Sequence, residues 1–260
     1  MTNFVIDIIS DPVCPWCYIG KKRLEKAISL YRKVYPGGRH DTFTMNWKAF
    51  YLDPSAPARG IPHRERLLQK LKSNSPPPPG ARADAENEKT AAQLTARLAN
   101  IGKQEGISFT FLGKIGNTRS AHRAIAFSKT QTLSHSHPSQ SQSPSQSQSQ
   151  MNAQEAFVSA LFTAFFESPT STDITSPIDL AAIASSAGLD GPAMLSFLEN
   201  PHDRENGGEE VDEQDRAARA AGVQGVPRFS IDGRWAVDGA GDVQDFLDFF
   251  VRVKEAERKE

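Results

Sequence analysis

The chain has 260 residues, of which 38% are hydrophobic and 23% charged, a composition that supports one large or two small domains with a buried core. Its 30 basic and 31 acidic residues leave a formal charge of −1, so no net field draws it to nucleic acid or anionic lipid. No apolar run approaches the roughly 18 residues that cross a bilayer, and the first residues lack the basic start of a secretory signal. We therefore expect a cytoplasmic protein that binds neither nucleic acid nor membrane.

The first predicted elements are a strand, a helix and a second strand. β-Branched and aromatic residues alternate over 4–9 as in a strand. Apolar residues then repeat at helical spacing over 24–35, and the Pro-Gly-Gly of 36–38 ends that helix. Residues 43–47 alternate again and indicate the second strand. Such a βαβ unit is expected to hold its strands parallel, with a right-handed connection.

The middle of the chain is predicted to be mainly helical. One short helix is expected to end at the prolines of 76–79 and a longer one near Gly106, after which residues 107–111 alternate over a short extended piece. Further helices are expected at about 118–130, 152–167, 177–187, 192–198 and 216–221. The acidic residues of 203–215 are expected on one solvated helix face.

The end of the chain returns to strands. Residues 228–231 and 234–237 alternate, and the Asp232-Gly233 pair between them is a strong signal for a two-residue hairpin turn. A last helix carries the apolar residues of 243–253 on one face. The two ends, residues 1–54 and 222–260, therefore form one α/β domain. Residues 55–221 form a largely helical insertion domain.

A Ser/Gln-rich tract interrupts the insertion at residues 131–150. Fourteen of its twenty residues are Ser or Gln, so it offers little to bury. We expect a disordered loop between two helices there. A Ser-Pro sequence at Ser143 leaves a phosphorylation role open.

The chain has two cysteines, Cys14 and Cys17, three positions apart. A disulfide between them closes almost no loop, so a purely structural bond would stabilise the fold very little. Zinc would need two further ligands from histidines or carboxylates, and the closely spaced His135 and His137 lie in the low-complexity tract. Two inert thiols are the remaining alternative. The surroundings of the pair favour a redox-active Cys-x-x-Cys motif, without a metal or a bound cofactor.

Those surroundings are a strand-to-helix junction. Pro15 fits the first turn of the predicted helix, where no amide donor is needed. Cys14 is therefore expected beside unpaired amide groups at the positive end of the helix dipole, which favours the thiolate that attacks disulfides. Cys17 follows one helical turn later, where it can attack a mixed disulfide formed on Cys14.

Four stretches of the sequence resemble one known family. They are residues 11–20 (DPVCPWCYIG), 117–123 (NTRSAHR), 221–227 (AGVQGVP) and 238–241 (DGAG). Together with the strand before the Cys-x-x-Cys motif, they resemble the DsbA-like thioredoxin-fold family. The closer resemblance is to its FrnE-like subgroup, which is related to 2-hydroxychromene-2-carboxylate isomerases and kappa-class glutathione transferases. The resemblance implies a thioredoxin fold, βαβ plus ββα, with the helical insertion between the two halves.

The resemblance also implies that Val226-Pro227 forms a cis-proline loop beside Cys14. A peptide or glutathione would then pair with the Val226 backbone as an added strand. An ordinary trans proline at the start of an edge strand is the alternative. The family usually has an apolar residue after this proline, whereas Arg228 follows here, so that its charge lies either near the thiols or in solvent.

Three further residues are candidates for substrate contact. Trp16 lies between the cysteines and is expected to control access to Cys14, with a simple surface aromatic as the alternative. Asn117 and His122 lie in the insertion's family motif, and their helix is expected to border the active-site groove. The alternatives for these two are a helix cap at Asn117 and a structural histidine at His122.

These features predict a cytosolic thiol–disulfide oxidoreductase in which Cys14 is the nucleophile and Cys17 resolves the mixed disulfide. Its expected partners are protein or small-molecule thiols and disulfides, with glutathione as a co-substrate. A glutathione-dependent transferase or isomerase is the main alternative, and a binding module that only borrows the fold is another. The apolar helices of the insertion leave a homodimer open. Sequence alone does not choose between oxidase, reductase and isomerase.

Overall fold

A computed structural model of the chain describes residues 1–74, 81–133, 152–200, 202 and 204–257. The predicted helix end at the prolines of 76–79 and most of the predicted loop at 131–150 lie outside these residues. Among the helices that the structure describes, none is both long and apolar enough to pass through a bilayer.

Four strands form the main sheet, in the order β2-β1-β5-β6. They are β1 Asn3–Ser10, β2 Thr42–Ala49, β5 Arg228–Ile231 and β6 Trp235–Asp238. β1 pairs in parallel with β2 and antiparallel with β5, and β5 and β6 form an antiparallel hairpin. Two shorter strands, β3 Ile61–Pro62 and β4 Lys114–Ile115, pair with each other within the insertion.

Helices connect and cover these strands. In chain order they are α1 Pro15–Val34, α2 His63–Asn74, α3 Ala81–Gln104, α4 Arg119–Ser128, α5 Ala153–Phe166, α6 Pro177–Ser186, α7 Gly191–Glu199, α8 Glu209–Ala220 and α9 Val243–Glu257. α1 connects β1 to β2, and α9 follows β6 and packs against α1. The ends of the chain thus supply β-α-β and β-β-α around a helical middle. The predicted class, an α/β thioredoxin fold with a helical insertion, is confirmed.

Local sequence accounts for the strands that carry the site. Phe4, Ile6 and Ile8 alternate along β1 and are fully buried, which makes β1 the centre of the core. At the β5–β6 turn, Asp232 and Gly233 both have positive φ, 52° and 64°, but the register pairs Ile231 with Trp235, so the loop has three residues rather than the predicted two. The sheet that supports the cysteines is therefore specified by short, local patterns.

One hydrophobic core extends from the sheet into the insertion. Tyr18 of α1 stacks on Phe162 and Phe166 of α5, with ring centroids 5.1 and 5.8 Å apart. Lys21 of α1 is buried in the same region and forms an ion pair of 2.6 Å with Glu155 of α5. The contacts between α1, near the start of the chain, and α5, in the insertion, are thus both apolar and charged.

Two local predictions for the insertion were wrong. The alternating residues 107–111 do not form a continuous extended piece, because Phe111 turns the backbone to a φ of 54° and packs its ring 5.1 Å from His63. The acidic helix α8 is not simply a solvated face. Asp215 is buried and accepts hydrogen bonds from the Tyr51 backbone and from Arg219.

Candidate active site at Cys14 and Cys17

The two cysteines lie where β1 leads into α1. Cys14 is the N-cap residue of α1, Pro15 follows in the first turn, and the Cys14 side chain makes no capping bond. The Cys14 carbonyl accepts hydrogen bonds from the backbone N–H groups of Cys17 and Tyr18 at 3.1 and 3.4 Å. Its own N–H donates to the Asp11 carbonyl at 2.9 Å. A turn and the start of a helix thus hold the cysteines one helical turn apart, both as free thiols.

The two thiols differ in environment. Both cysteines are buried, Cys14 with 4% and Cys17 with 1% of its surface exposed, and the Cys17 thiol interacts with Cys14 and with Ser10. Burial raises the pKa of the Cys17 thiol well above its usual value, and the hydrogen bond and charge of Cys14 raise it further. Cys14 forms part of the wall of a cavity. The arrangement therefore offers Cys14 to an incoming molecule and keeps Cys17 behind it.

The loop before β5 lies against the first cysteine. The Cys14 thiol donates to the Val226 carbonyl, with 3.7 Å between sulfur and oxygen, and the Val226–Pro227 peptide bond is cis. Arg228, whose direction the sequence left open, forms an ion pair with Asp238 across the β5–β6 hairpin. Backbone of this loop, rather than the Arg228 charge, thus forms the described contact with Cys14.

A cavity of about 250 Å³ opens beside Cys14. The cysteine and Pro15 line one side, and residues of α2 and α3 line the other. Most of the wall is apolar, supplied by residues such as Leu67, Leu94 and Leu98. A mainly apolar concave site with a few polar groups is typical of a small-molecule site.

Asp11 lines the cavity and is hydrogen-bonded to a residue that follows β2. Its carboxylate accepts hydrogen bonds from the backbone N–H groups of Leu52 at 2.8 Å and Val13 at 3.4 Å, and one from the Thr118 side chain. Burial raises the pKa of Asp11 to about 7, since these bonds offset only part of the cost of a buried charge. The residue lies at the start of the 11–20 motif, but sequence gave no sign that it would be buried.

Trp16, another predicted site residue, lies between the two cysteines in sequence and is exposed to solvent. Its side chain is 38% exposed. Asn117 accepts a hydrogen bond from the Arg119 backbone at 2.9 Å, next to the start of α4, and donates its own N–H to the Pro57 carbonyl. Asn117 does not appear among the described residues that line the cavity.

His122 also lies outside the described wall of the cavity. It is buried, and its Nε2 donates to the Phe50 carbonyl at 3.3 Å, 3.9 Å from the Asp11 carboxylate. Burial lowers the pKa of His122 to about 4, so the ring stays neutral near pH 7. The described bonds of His122 thus connect α4 to the residue just after β2, and those of Asn117 connect the start of α4 to Pro57.

Sequence reasoning missed one face of α2. His63, Arg66, Leu67 and Lys70 follow the spacing of a single helix face, and all four line the cavity. Asp53 pairs with Arg66 and, at 3.2 Å, with Lys70. The periodicity was readable, but its position opposite Cys14 depends on how the insertion folds back.

These features together define a class of protein: a thioredoxin fold with a Cys-x-x-Cys pair at the start of its first helix. The family model for the DSBA-like thioredoxin domain matches residues 5–140 and 145–251. The chain therefore belongs to the DSBA-like thioredoxin domain family, as its motifs predicted. A search of curated protein sequences finds no match to the chain.

The solved structures that share the fold include the following three. A probable DsbA oxidoreductase from Streptomyces coelicolor has 23% identity and a TM-score of 0.68, covering 94% of this chain and 87% of that one. A structure described as a protein disulfide isomerase, from Nitrosomonas europaea, has 13% identity and a TM-score of 0.60, covering 98% of both chains. A 2-hydroxychromene-2-carboxylate isomerase has 16% identity and a TM-score of 0.52, covering 98% of this chain and 95% of that one. At these identities the likeness extends to the fold.

Proposed function

We propose that the protein is a thiol–disulfide oxidoreductase in which Cys14 is the nucleophile and Cys17 the resolving thiol. The observation that carries the proposal is the unequal placement of the two sulfurs. Both cysteines are buried, but Cys14 lines a cavity and contacts the Val226 carbonyl, whereas Cys17 lies outside the described cavity wall and has a raised pKa. Disulfide exchange needs this asymmetry, because one thiol must meet the substrate and the other must meet only the mixed disulfide.

The exchange proceeds in two steps. The Cys14 thiolate attacks a substrate disulfide, forms a mixed disulfide and releases one substrate thiolate. Cys17 loses its proton, attacks the Cys14 sulfur and releases the second thiolate, leaving a Cys14–Cys17 disulfide. The reverse sequence oxidises a substrate dithiol. A cytosolic setting, where glutathione keeps most thiols reduced, would supply thiols for resetting the pair.

The proposal gives the remaining predicted site residues separate roles. The Val226 backbone, held next to Cys14 by the cis peptide bond to Pro227, would pair with an extended peptide or with glutathione as a co-substrate. Trp16, exposed beside the thiols, would contact the substrate. Asn117 and His122 would act as positioning residues, because their described bonds go to the neighbouring backbone.

The test is intact mass spectrometry after equilibration in a series of glutathione redox buffers, with free thiols trapped by alkylation. We expect a two-electron transition between the dithiol and the Cys14–Cys17 disulfide, whose midpoint gives the direction of the reaction. The Cys14→Ser variant should lose the transition. Thiols that remain unchanged across all buffers would overturn the proposal.

The same experiment addresses the glutathione-dependent transferase or isomerase. Glutathione that binds without forming a disulfide, to a protein whose thiols never titrate, would favour that second function. The specific observation in its favour is the mainly apolar cavity beside Cys14, which has room for a second, small substrate.

A further inference from the structure

The cavity beside Cys14 has the size and lining of a small-molecule site. It measures about 250 Å³, and Leu67, Leu94 and Leu98 supply part of its mainly apolar wall. An apolar cavity of about 150 Å³ admits benzene, so this one has room for a substituted ring or a branched alkyl group. Because Cys14 forms part of the same wall, a molecule held there meets the nucleophilic thiol.

The α2 side of the cavity is basic. Arg66 and Lys70 both line the cavity and both pair with Asp53, so this side carries one positive charge in excess. The other acid in the wall, Asp11, holds its proton below its raised pKa of about 7, so the excess positive charge is complete below that pH and is reduced above it, where Lys70 also interacts with the Asp11 charge. A ligand with one acid group would therefore meet complementary charge at α2.

A buried nitrogen of α2 also lacks a partner within the described part of the chain. His63 lines the cavity, and its Nδ1 is buried without a hydrogen bond. Burial lowers the pKa of His63, so that its neutral ring keeps one donor and one acceptor nitrogen. Because this atom has almost no surface open to the cavity, a polar substituent on a bound molecule would pair with it only after the ring turns toward the cavity.

We propose that the cavity binds one half of a low-molecular-weight disulfide, or the corresponding thiol, whose body is aromatic or branched alkyl and carries one acid group. This inference rests on the proposed function, because it names the substrate class of the same thiol pair. The apolar leucines hold the body, and Lys70, with Arg66 and His63, faces the acid group. The Val226 backbone remains available for extended peptides.

The reaction in the cavity is balanced by the protein's own dithiol. The Cys14 thiolate attacks a sulfur of the bound disulfide, the ligand's S–S bond breaks, and one half leaves as a thiolate. Cys17 gives its proton to solvent and attacks the Cys14 sulfur, which releases the second half. The protein dithiol is oxidised to a disulfide and the ligand is reduced to two thiols. Glutathione, as the thiol reductant, would restore the dithiol for a further cycle.

The experiment compares three disulfide probes with the fully reduced protein by stopped flow. Dithiobis(nitrobenzoate) is aromatic and acidic, dithiodipyridine is aromatic and neutral, and bis(hydroxyethyl) disulfide is small, aliphatic and neutral. Each rate constant is divided by that of free glutathione with the same probe, which removes the intrinsic reactivity of the disulfide. We expect the normalised rate constants to fall in that order.

Variants separate shape from charge. Leu94, 40% exposed, lines the cavity, and Leu94→Trp should slow both aromatic probes about tenfold while leaving the aliphatic one nearly unchanged. Lys70→Gln should lower the rate ratio of acidic to neutral aromatic probe about threefold, the scale of an exposed charge pair. The matched controls are Leu112→Trp, at a leucine 48% exposed outside the described cavity wall, and Lys72→Gln on the same helix. Circular dichroism verifies folding, and Leu98→Trp replaces Leu94→Trp if the latter does not fold.

A second readout does not depend on thiol chemistry. Nitrobenzoate, which has no sulfur, should bind the Cys14→Ser protein in calorimetry, and Leu94→Trp added to that protein should abolish the binding. Equal rates in Leu94→Trp and the unsubstituted protein, with no nitrobenzoate binding, would overturn the cavity inference and leave the oxidoreductase standing. Nitrobenzoate binding to a protein that exchanges with none of the three disulfides would overturn the proposed function and leave the cavity as a site for an aromatic acid.

Discussion

At the scale of single residues, the two cysteines differ mainly in what surrounds their sulfurs. Both are buried, but Cys14 lies in a cavity wall, whereas Cys17 lies outside the described wall and interacts with Cys14 and Ser10. Substituting one of them therefore has a different consequence from substituting the other. A thiol that can be attacked but not resolved traps its partner as a mixed disulfide.

We expect Cys17→Ser to accumulate one glutathionyl group per chain when it is mixed with oxidised glutathione, because Cys14 still attacks and no second thiol resolves the product. Cys14→Ser should remain unmodified over the same time, since the Cys17 thiol is buried and its pKa is raised. Intact mass spectrometry measures both. Faster modification of Cys14→Ser than of Cys17→Ser would reverse the assigned roles.

Asp11 predicts a pH dependence of stability. Its pKa is raised by burial to about 7 in the folded protein, against 3.8 for the exposed group. Between these values the folded protein holds a proton that the unfolded chain has released, so the free energy of unfolding falls as pH rises. Asp11→Asn removes this loss. Relative to the unsubstituted protein, the variant should gain roughly 4 kcal/mol of unfolding free energy between pH 4 and 8.

The difference between the two proteins is the informative quantity, because His122 acts in the opposite direction. Its pKa is lowered to about 4 by burial, so its contribution to stability is lost as pH falls from 6.5 to 4. Urea unfolding at several pH values measures the difference, and the exposed Asp248→Asn serves as the control. A constant difference between Asp11→Asn and the unsubstituted protein across this range would contradict the assignment.

Sequence could identify the cysteines because their chemistry depends on a short spacing at a strand-to-helix junction. It could not identify Asp11, because the groups that bury and bond it come from residues about forty and a hundred positions away, at Leu52 and Thr118. For His122 the sequence left both a structural and a substrate-contact role open. The outcome depends on Phe50 and Tyr51, which approach it only in the folded chain.

At the scale of elements, the open edge of the sheet explains much of the insertion. β2 has one strand neighbour, so alternate backbone N–H groups along it and just beyond it face away from the sheet. Those of Trp47, Ala49 and Tyr51 donate to side-chain oxygens of the insertion: Gln154, Gln214 and Asp215, at 3.1, 2.8 and 2.8 Å. Helices α5 and α8 thus satisfy the edge from Trp47 onward and block the addition of another strand along that part.

This predicts the effect of removing one acceptor. Asp215→Ala leaves the Tyr51 N–H without its acceptor and Arg219 without its ion pair, so we expect a loss of about 1–3 kcal/mol in the free energy of unfolding. Glu213→Ala on the same helix removes an exposed pair with Arg216 and should cost less than about 0.5 kcal/mol. Urea unfolding compares the two variants. Equal losses would show that α8 does not hold the edge through Asp215.

Some elements could be predicted from the sequence and others could not. The long strands and helices follow their own periodicity, so β1, α1 and the β5–β6 hairpin were predictable from residues within each element. β3 and β4 have two residues each, too few to show a period. The buried face of α8 was also missed, because Gln214 and Asp215 bond to Ala49 and Tyr51, at and just beyond the end of β2, which are distant in sequence.

At the scale of the whole molecule, the two ends of the chain (1–54 and 222–260) and the insertion between them (55–221) share one core. The three tryptophans, Trp16, Trp47 and Trp235, all belong to the segments 1–54 and 222–260, whereas seven of the nine described helices belong to 55–221. Tryptophan fluorescence therefore reports mainly on the two ends of the chain, 1–54 and 222–260, and far-ultraviolet circular dichroism mainly on the insertion, 55–221. If the segments unfold as one unit, both signals must change together.

The buried pair between Lys21 and Glu155 provides the strongest test of this unity. Lys21 is 1% exposed on α1, and Glu155 of α5 also accepts the Trp47 indole N–H at 2.8 Å. Among the described residues, Glu155→Ala leaves the buried ammonium with the half-exposed Glu25 as its remaining ion-pair partner, so we expect a loss of about 3–5 kcal/mol. Because the pair joins the segments, the fluorescence and circular dichroism transitions in urea should shift to lower concentration by the same amount. Lys22→Ala, which removes the exposed pair with Glu25 at 3.7 Å and a contact with the Tyr18 ring at 5.5 Å, should shift neither by much. A shift in circular dichroism alone would mean that the insertion unfolds independently, and that the walls of the cavity beside Cys14 can separate while the thiol pair stays folded.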